Sequence, residues 1–86
     1  DRALALLRIV AGASGEGLRL ADIADESGLD RATAFRLLSS LVGQGFVEQD
    51  PATRRYLLGL EFFTLAAAAS NRYDLAEVAH EALRRI

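Results

Sequence analysis

Residues 28–47, GLDRATAFRLLSSLVGQGFV, carry a group of side chains that can bond or touch nucleic-acid bases. A guanidinium can bond guanine O6 and N7, hydroxyl groups bond base edges or phosphates, and alanine or phenylalanine can touch thymine methyl groups. No acidic residue lies between Arg31 and Val47. The segment therefore predicts a DNA-reading surface. Its candidate residues are Arg31, Ala32, Thr33, Phe35, Arg36, Ser39 and Ser40.

The apolar residues of this segment recur at helical spacing, which places them on one side of a helix and the candidate residues on the other. The apolar side consists of Ala34, Leu37, Leu38 and Leu41. A solvated helix face usually carries Glu and Lys pairs, which this helix lacks. For an isolated helix a merely polar surface is the simpler interpretation, so the DNA interpretation depends on the neighbouring elements.

Those neighbours form a helix-turn-helix pattern. Residues 1–11 predict a first helix with two apolar stripes, and residues 12–17 predict a flexible turn. A very short strand at 18–20 leads into a second helix, which ends at Gly28 as a C′ residue. Asp30 is the predicted N-cap of the third helix, which extends to about Gln44.

A β-hairpin is predicted after Gly45. Residues 46–49 and 55–58 are strand-like, and DPAT between them supplies turn residues. The hairpin tip is predicted to carry Arg54 and Arg55, which join the DNA-binding candidates. A helix-turn-helix followed by a hairpin is a winged helix, and in this context the DNA interpretation is favoured over a merely polar surface.

The rest of the chain is predicted to be helical. A fourth helix extends from Leu60 to about Ser70 with two apolar stripes, and a capping-box-like pattern at Asp74 opens a fifth helix. The predicted fold is mainly α with one small hairpin. We divide it into a winged helix-turn-helix DNA-binding domain (1–59), a linker helix and connection (60–73), and the first helix of a C-terminal effector domain (74–86). The chain is interpreted as part of a longer protein.

The composition excludes several classes of function. With 86 residues, 51% hydrophobic and 26% charged, the chain is globular rather than disordered. A net charge of −2 is unlike a generic nucleic-acid coat, so DNA binding must depend on local charge. There is no cysteine and one histidine, His80. We therefore predict no metal, no cofactor and no enzymatic activity. The longest apolar run is too short to span a bilayer, and a cytoplasmic location is predicted.

The chain resembles the N-terminal DNA-binding domain of the IclR family of bacterial transcription regulators. The resemblance rests on Gly-Leu, a basic residue, Thr, an aromatic and Arg-Leu-Leu across residues 28–38, and on Gly-Phe-Val at 45–47. It continues with Tyr, a pair of residues and Gly at 56–59, and it covers essentially all 86 residues. The chain departs from the family pattern at four positions. It has Asp30 for Pro, Ala32 for Ser, Phe35 for Tyr or His, and Arg19 for the Ser or Thr that commonly caps helix two.

The resemblance implies a ligand-responsive repressor or activator that binds a palindromic operator in double-stranded DNA. It further implies a homodimer or homotetramer and a C-terminal domain that binds a small-molecule effector. Two alternatives remain at this point. One is a winged-helix module used for protein–protein contacts, for which an acidic or apolar third helix would be expected. The other is a MarR-like regulator, which the two-stripe helix after Gly59 disfavours.

Overall fold

A computed structural model describes residues 1–13 and 15–69, and within them the order of elements is that of a winged helix. The helices and strands are α1 (Arg2–Ala11), α2 (Leu20–Ser27), α3 (Arg31–Gly43), β1 (Val47–Gln49), β2 (Tyr56–Leu58) and α4 (Leu60–Ala69). The mainly α prediction with one hairpin is confirmed. The helix predicted at 74–86, with His80, lies outside the described residues, as does the end of the predicted linker segment.

Local capping explains where α2 and α3 begin and end. Gly28 follows α2 with φ 75°, a left-handed conformation that closes a helix and that glycine adopts without a steric cost. Asp30 then caps α3, with its Oδ1 accepting a hydrogen bond from the Thr33 N–H at 2.7 Å. Both predicted helix boundaries are confirmed, and together they produce the tight turn between the two helices.

A single apolar core holds the three helices and the wing together. Its buried members are Leu6, Val10, Ile23, Leu38, Leu41, Val47 and Tyr56. Helix α3 contributes the predicted apolar side, with Ala34, Leu38 and Leu41 buried and Leu37 half-buried. In α1, the stripe that contains Leu6 and Val10 faces this core, whereas Leu4 from the other stripe is 57% exposed. The core therefore buries one stripe of α1, whereas the other stripe packs against it only in part, through the half-buried Leu7, and leaves Leu4 at the surface.

The wing is a short antiparallel hairpin braced by a third segment. Strands β1 and β2 pair with Val47 opposite Leu58 and Gln49 opposite Tyr56. Leu18 forms an isolated bridge to Tyr56, with N–O distances of 3.0 and 2.7 Å in the two directions. The strand predicted at 18–20 is therefore reduced to a one-residue bridge, because Leu20 already begins α2. The bridge also ties the start of α2 to the base of the wing.

Strand β1 begins one residue later than predicted, because Phe46 completes the end of α3. The Phe46 N–H donates to the Leu41 carbonyl at 3.0 Å. Strand β2 likewise begins at Tyr56, because Arg55 only closes the hairpin loop: the Asp50 N–H donates to its carbonyl at 2.9 Å, but the Arg55 N–H donates to the Thr53 hydroxyl at 3.2 Å and not back to Asp50. In both places a local hydrogen bond takes precedence over β-propensity.

The junction between the wing and α4 depends on a close backbone approach at Gly59. The Gly59 N–H donates to the Phe46 carbonyl at 2.7 Å, and the Glu61 N–H donates to the Gly45 carbonyl at 3.0 Å. Helix α4 leaves from this junction, and none of its described residues is buried; Phe62 and Ala66 are half-buried. The predicted helix after Gly59 is confirmed up to Ala69.

Candidate nucleic-acid interface

The side of α3 opposite the core is exposed, as the sequence pattern predicts. Ala32, Arg36, Ser39 and Ser40 are all exposed, and Arg31 is exposed at the start of the helix. Phe35 remains 48% exposed on one flank. Thr33 is half-buried on the other flank. A helix of 13 residues spans about 20 Å, which is long enough to lie in the major groove of B-DNA.

Asp30 determines the electrostatics at the beginning of α3. The backbone N–H of Thr33, followed by the Thr33 hydroxyl, lowers the pKa of the Asp30 carboxyl below its ordinary value, and the Arg36 guanidinium also lowers it. Because the Thr33 backbone N–H donates to Asp30, Thr33 acts here as part of the cap, and its backbone helps to fix the position of the helix end.

The cap predicts a specific dependence of stability on pH. The folded-state pKa of Asp30 is depressed, so its stabilising contribution is present above the unfolded pKa of 3.8 and is lost as the pH falls through the folded value. Asp30→Asn should keep a good N-cap at neutral pH but remove this part of the acid dependence. Asp30→Ala should lower the free energy of unfolding at neutral pH as well.

Urea unfolding of both variants between pH 7 and pH 2 measures this effect. The parent and Asp30→Asn should have similar stability at pH 7, and only the parent should approach the stability of Asp30→Ala as the pH falls below about 4. Asp50, whose pKa is lowered by the N–H groups of Thr53 and Ala52, remains in all three proteins and supplies a common acid-dependent background. An identical acid dependence in the parent and Asp30→Asn would contradict the assignment.

Four arginines of this region have guanidinium groups without a hydrogen bond or close ion pair, although the charge of Arg36 acts on the Asp30 carboxylate. Arg19, Arg31, Arg36 and Arg54 form no side-chain hydrogen bond or ion pair with any other residue in the described ranges 1–13 and 15–69. Each is exposed. Unpaired guanidinium groups can bind phosphates without first breaking an internal ion pair. Although the chain carries a net negative charge, this region presents local positive charge.

The two wing arginines are placed differently from one another. Arg54 ends the loop at 51–54 and adopts a left-handed backbone with φ 65°. The Arg54 carbonyl accepts a hydrogen bond from Gln49 Nε2 at 3.0 Å, and the Arg54 N–H donates to the Asp50 carbonyl at 2.8 Å. The loop thus holds the Arg54 backbone while its side chain remains free.

Arg55 lies at the base of the loop, opposite Asp50, and is half-buried. Its Nη1 donates to the Gly17 carbonyl at 3.4 Å. The prediction that both arginines occupy the tip is therefore wrong for Arg55, because the closing pair of the hairpin includes it. This hydrogen bond links the wing to the segment before α2.

A cleft of about 310 Å³ separates α3 from the wing. Phe35 from α3 and Arg54 from the wing both line it, together with Arg19 at the start of α2. Arg19 was not among the residues that the sequence assigned to the interface. The available sequence signal was its departure from the family pattern, because an arginine stands where a Ser or Thr commonly caps helix two; it forms no side-chain capping bond in the structure.

Ser40 lies on the other flank of α3, beside a larger groove. This groove has a volume of about 550 Å³ and is lined mainly by apolar residues of α1, α3 and α4. Its lining includes Leu4, Leu7, Leu37, Phe62 and Leu65. The structure thus brings Phe35 and Arg54 together at one cleft and separates Ser40 from them.

Within the described residues, no group of three or more His, Cys, Asp or Glu side chains could hold a metal ion. Across the same residues, no helix is long and apolar enough to span a bilayer.

Comparison with known proteins identifies the family. The family model of the IclR helix-turn-helix domain matches residues 1–51. The chain is 45% identical over 75 residues to the glycerol operon regulatory protein of Streptomyces griseus, covering 87% of this chain and 29% of that protein. It is 35% identical over 86 residues to the HTH-type transcriptional regulator BhcR of Paracoccus denitrificans, covering 100% of this chain and 30% of that one. The chain therefore spans about 30% of the length of these relatives.

Solved structures agree with the sequence relatives. An IclR transcriptional regulator from Alicyclobacillus acidocaldarius matches with a TM-score of 0.76 and 32% identity, over 85% of this chain and 29% of that chain. Pseudomonas aeruginosa HmgR matches with a TM-score of 0.75 and 28% identity, over 92% of this chain and 32% of that chain. The resemblance seen in the sequence is confirmed, and the MarR-like alternative is set aside. The chain belongs to the IclR family of helix-turn-helix, DNA-binding transcriptional regulators.

Proposed function

We propose that this regulator binds a palindromic operator as a dimer, with α3 in the major groove and the wing on the adjacent backbone. The observation that carries the proposal is the exposed side of α3, which has two unpaired arginines, small side chains and no acid. Such residues are typical of DNA-facing helices, because arginine and serine can bond a base edge or a phosphate and alanine can touch a thymine methyl group. Repressor and activator functions are both compatible with this geometry.

The side chains in this region fall into two proposed roles. Arg36 lies near the middle of the exposed side of α3, where a base edge is within reach, so we assign it to base reading. Ala32, Ser39 and Ser40 share this side, and Ser40 has the more peripheral position. Arg31 at the start of α3 and Arg54 on the wing are assigned to the phosphate backbone. Arg55, half-buried against Gly17, is assigned to support of the wing.

A selection from random duplexes, followed by footprinting with the full-length protein, tests the proposal. Two-fold symmetry predicts two protected half-sites, and their centres should be separated by a whole number of helical turns, about 10 base pairs each. A protein that selects no sequence over random DNA would contradict it. So would a footprint over a single unrepeated site.

We propose further that α1 and α4 form the dimer interface. Leu4 and Leu65 are 57% and 53% exposed, and both line the apolar groove between α1, α3 and α4. Phe63, also on α4, is 58% exposed. Such apolar area is costly to leave in water. A second copy of the same surface would cover it in a self-complementary interface. A homotetramer would require additional interfaces outside this domain.

Sedimentation of the full-length protein at micromolar concentration should show a dimer or a larger even assembly. Leu65→Glu should weaken dimerisation on the order of a hundredfold, because a two-fold interface loses two buried leucines. Val42→Glu is the matched control, since Val42 is 38% exposed on α3 and does not line the groove. A monomeric parent protein would contradict the dimer. Equal effects of the two variants would contradict its location.

We also propose that residues 60–73 connect this domain to an effector domain that begins with residues 74–86. That domain would bind a small carboxylate-bearing or aromatic metabolite and thereby adjust operator binding. The relatives named for the glycerol operon and the acetate operon are regulators of metabolic genes by their names, which supports a metabolite as the effector. A cytoplasmic location is part of the proposal, because the operator is chromosomal.

A winged-helix module used only for protein contacts is the weaker candidate. It would have to cover Arg31, Arg36 and Arg54 with acidic partner groups, because burying unpaired charges is costly. DNA phosphates would supply the counter-charges for the same three arginines, so that no acidic protein partner is required.

A further inference from the structure

Among the residues that the structure describes, Phe35 is the one exposed large apolar side chain that lines the cleft between α3 and the wing. It is 48% exposed on the flank of α3 that faces the wing. It is absent from the core cluster and from the residues packed against that cluster. A half-exposed aromatic ring on a DNA-facing helix therefore requires an explanation other than the stability of the fold.

The neighbours of Phe35 indicate what could cover the ring. The cleft that it lines has an apolar floor of Leu20, Ala21 and Tyr56 and is also lined by Gln49 and Thr53, whose side chains are hydrogen-bonded within the wing. Its other lining residues are Arg19 and Arg54, whose guanidinium groups form no hydrogen bond or ion pair within the described residues. An apolar protein partner seated here would bury two guanidinium groups without counter-charges, which is unfavourable. A nucleic-acid strand supplies phosphates for the arginines and an apolar base substituent for the ring.

We propose that Phe35 recognises the 5-methyl group of a thymine in each operator half-site, while Arg19 and Arg54 bind backbone phosphates around it. The inference rests on the proposed function, because it requires α3 to lie in the major groove. There the 5-methyl group is the apolar substituent that distinguishes thymine. A phenylalanine ring has no hydrogen-bonding group, so its selectivity is for the methyl group itself.

The position of Phe35 relative to Arg36 limits which base pair the ring can reach. Phe35 lies one residue before Arg36 and is therefore turned about 100° from it around the helix axis, toward the wing. If Arg36 reads a base edge, Phe35 meets a neighbouring base pair on the wing side of the groove. The recognised thymine should consequently lie next to the base pair whose preference depends on Arg36, or one step beyond it.

Replacement of thymine by deoxyuracil tests the inference, because it removes the methyl group and leaves base pairing intact. The full-length protein is titrated by fluorescence anisotropy against operator duplexes in which each thymine is replaced in turn. At one position in each half-site, the replacement should lower the affinity of the protein for the duplex about fourfold, the factor expected for one buried methyl-sized group. Replacement at that position in both half-sites should lower the affinity about sixteenfold.

A double-mutant cycle then assigns the effect to the ring. In Phe35→Ala, the ratio of affinities for the thymine and deoxyuracil duplexes at that position should fall to about one. Val42→Ala is the matched control, because it removes an exposed apolar side chain from the same flank of α3, about two turns away from Phe35. For Val42→Ala, the ratio of the affinities for the thymine and deoxyuracil duplexes should stay at about four. Each ratio is internal to one protein, so a loss of stability in the variant does not affect it.

The outcomes separate this inference from the proposed function. Specific operator binding that is indifferent to every thymine methyl group overturns the role of Phe35 and leaves the operator proposal standing. A methyl effect that persists in Phe35→Ala also overturns it, because another residue then reads the group. Binding that does not distinguish the operator from random duplexes overturns the proposed function, and the inference fails with it.

Discussion

Arg36→Ala should make the free energy of operator binding less favourable by about 1–3 kcal/mol for each half-site, and it should relax the preference at one base pair in each half-site. In a symmetric dimer both half-sites are affected in the same way, so the total reduction is about 2–6 kcal/mol. The physical reason is the bidentate bond that a guanidinium makes with a guanine edge, together with the unsatisfied base acceptors that remain without it. Affinity for random DNA should change little in comparison.

Arg54 provides the contrasting variant. Arg54→Asn removes the charge while keeping a residue type that tolerates the left-handed backbone at φ 65°. It should weaken binding to operator and random duplexes alike and reduce the slope of log affinity against log salt by about one for each phosphate that is no longer bound. Titration of both variants against operator and scrambled duplexes at several salt concentrations measures the difference. If Arg36→Ala lowered both affinities equally while Arg54→Asn affected only the operator, the two roles would be reversed.

Gly59→Ala should be among the most destabilising single substitutions in the described part of the chain. A Cβ at residue 59 would overlap the Gly45 carbonyl oxygen and would lie 2.8 Å from the Gly45 carbonyl carbon and 2.9 Å from that of Phe46. These are backbone atoms, so relief requires a shift of the chain rather than a change of rotamer. Overpacking of this kind costs about 1–3 kcal/mol or more of the free energy of unfolding.

Gly43→Ala is the matched control for this prediction. A Cβ at Gly43 meets no atom within 4 Å, and the residue ends α3. Alanine there should be neutral or stabilising by about 0.5–1 kcal/mol, because it costs less backbone entropy than glycine in a helix. Urea unfolding should therefore show a large destabilisation for Gly59→Ala and none for Gly43→Ala. Equal stability of Gly59→Ala and the parent would contradict the close approach.

The substitution at Gly59 should also affect assembly. The Gly45 carbonyl accepts a hydrogen bond from Glu61 at the start of α4, and Gly59 on the other side of the same junction donates to Phe46. A shift at this point moves α4 relative to α3, and with it one wall of the apolar groove. We therefore expect weaker dimerisation in Gly59→Ala at temperatures where the domain is still folded, which sedimentation of the full-length protein measures.

The boundaries of α2 and α3 could be predicted from the sequence because local residues determine them. Gly28 supplies the left-handed conformation and Asp30 supplies the cap, and neither depends on distant parts of the chain. The exposed side of α3 could be predicted for a similar reason. Helical spacing separates it from the apolar side whatever packs against that side.

The remaining features depend on contacts between residues far apart in sequence, which spacing does not reveal. The bridge from Leu18 to Tyr56 brings Arg19 to the wing, and no local pattern near Arg19 indicates this. The hydrogen bond from Arg55 to Gly17 likewise removes one predicted DNA-binding residue from the tip. The position of Ser40 beside the groove depends on where α1 and α4 pack, which the pattern of the third helix alone cannot specify.

Methylation interference at guanine N7 tests whether α3 reads the major groove through Arg36. The N7 atom lies in the major groove and is one of the two acceptors that an arginine bonds. We expect methylation of one guanine in each half-site to block binding of the parent protein and to have little further effect on Arg36→Ala. Interference confined to adenine N3 in the minor groove, or an identical guanine pattern in both proteins, would contradict this role of Arg36.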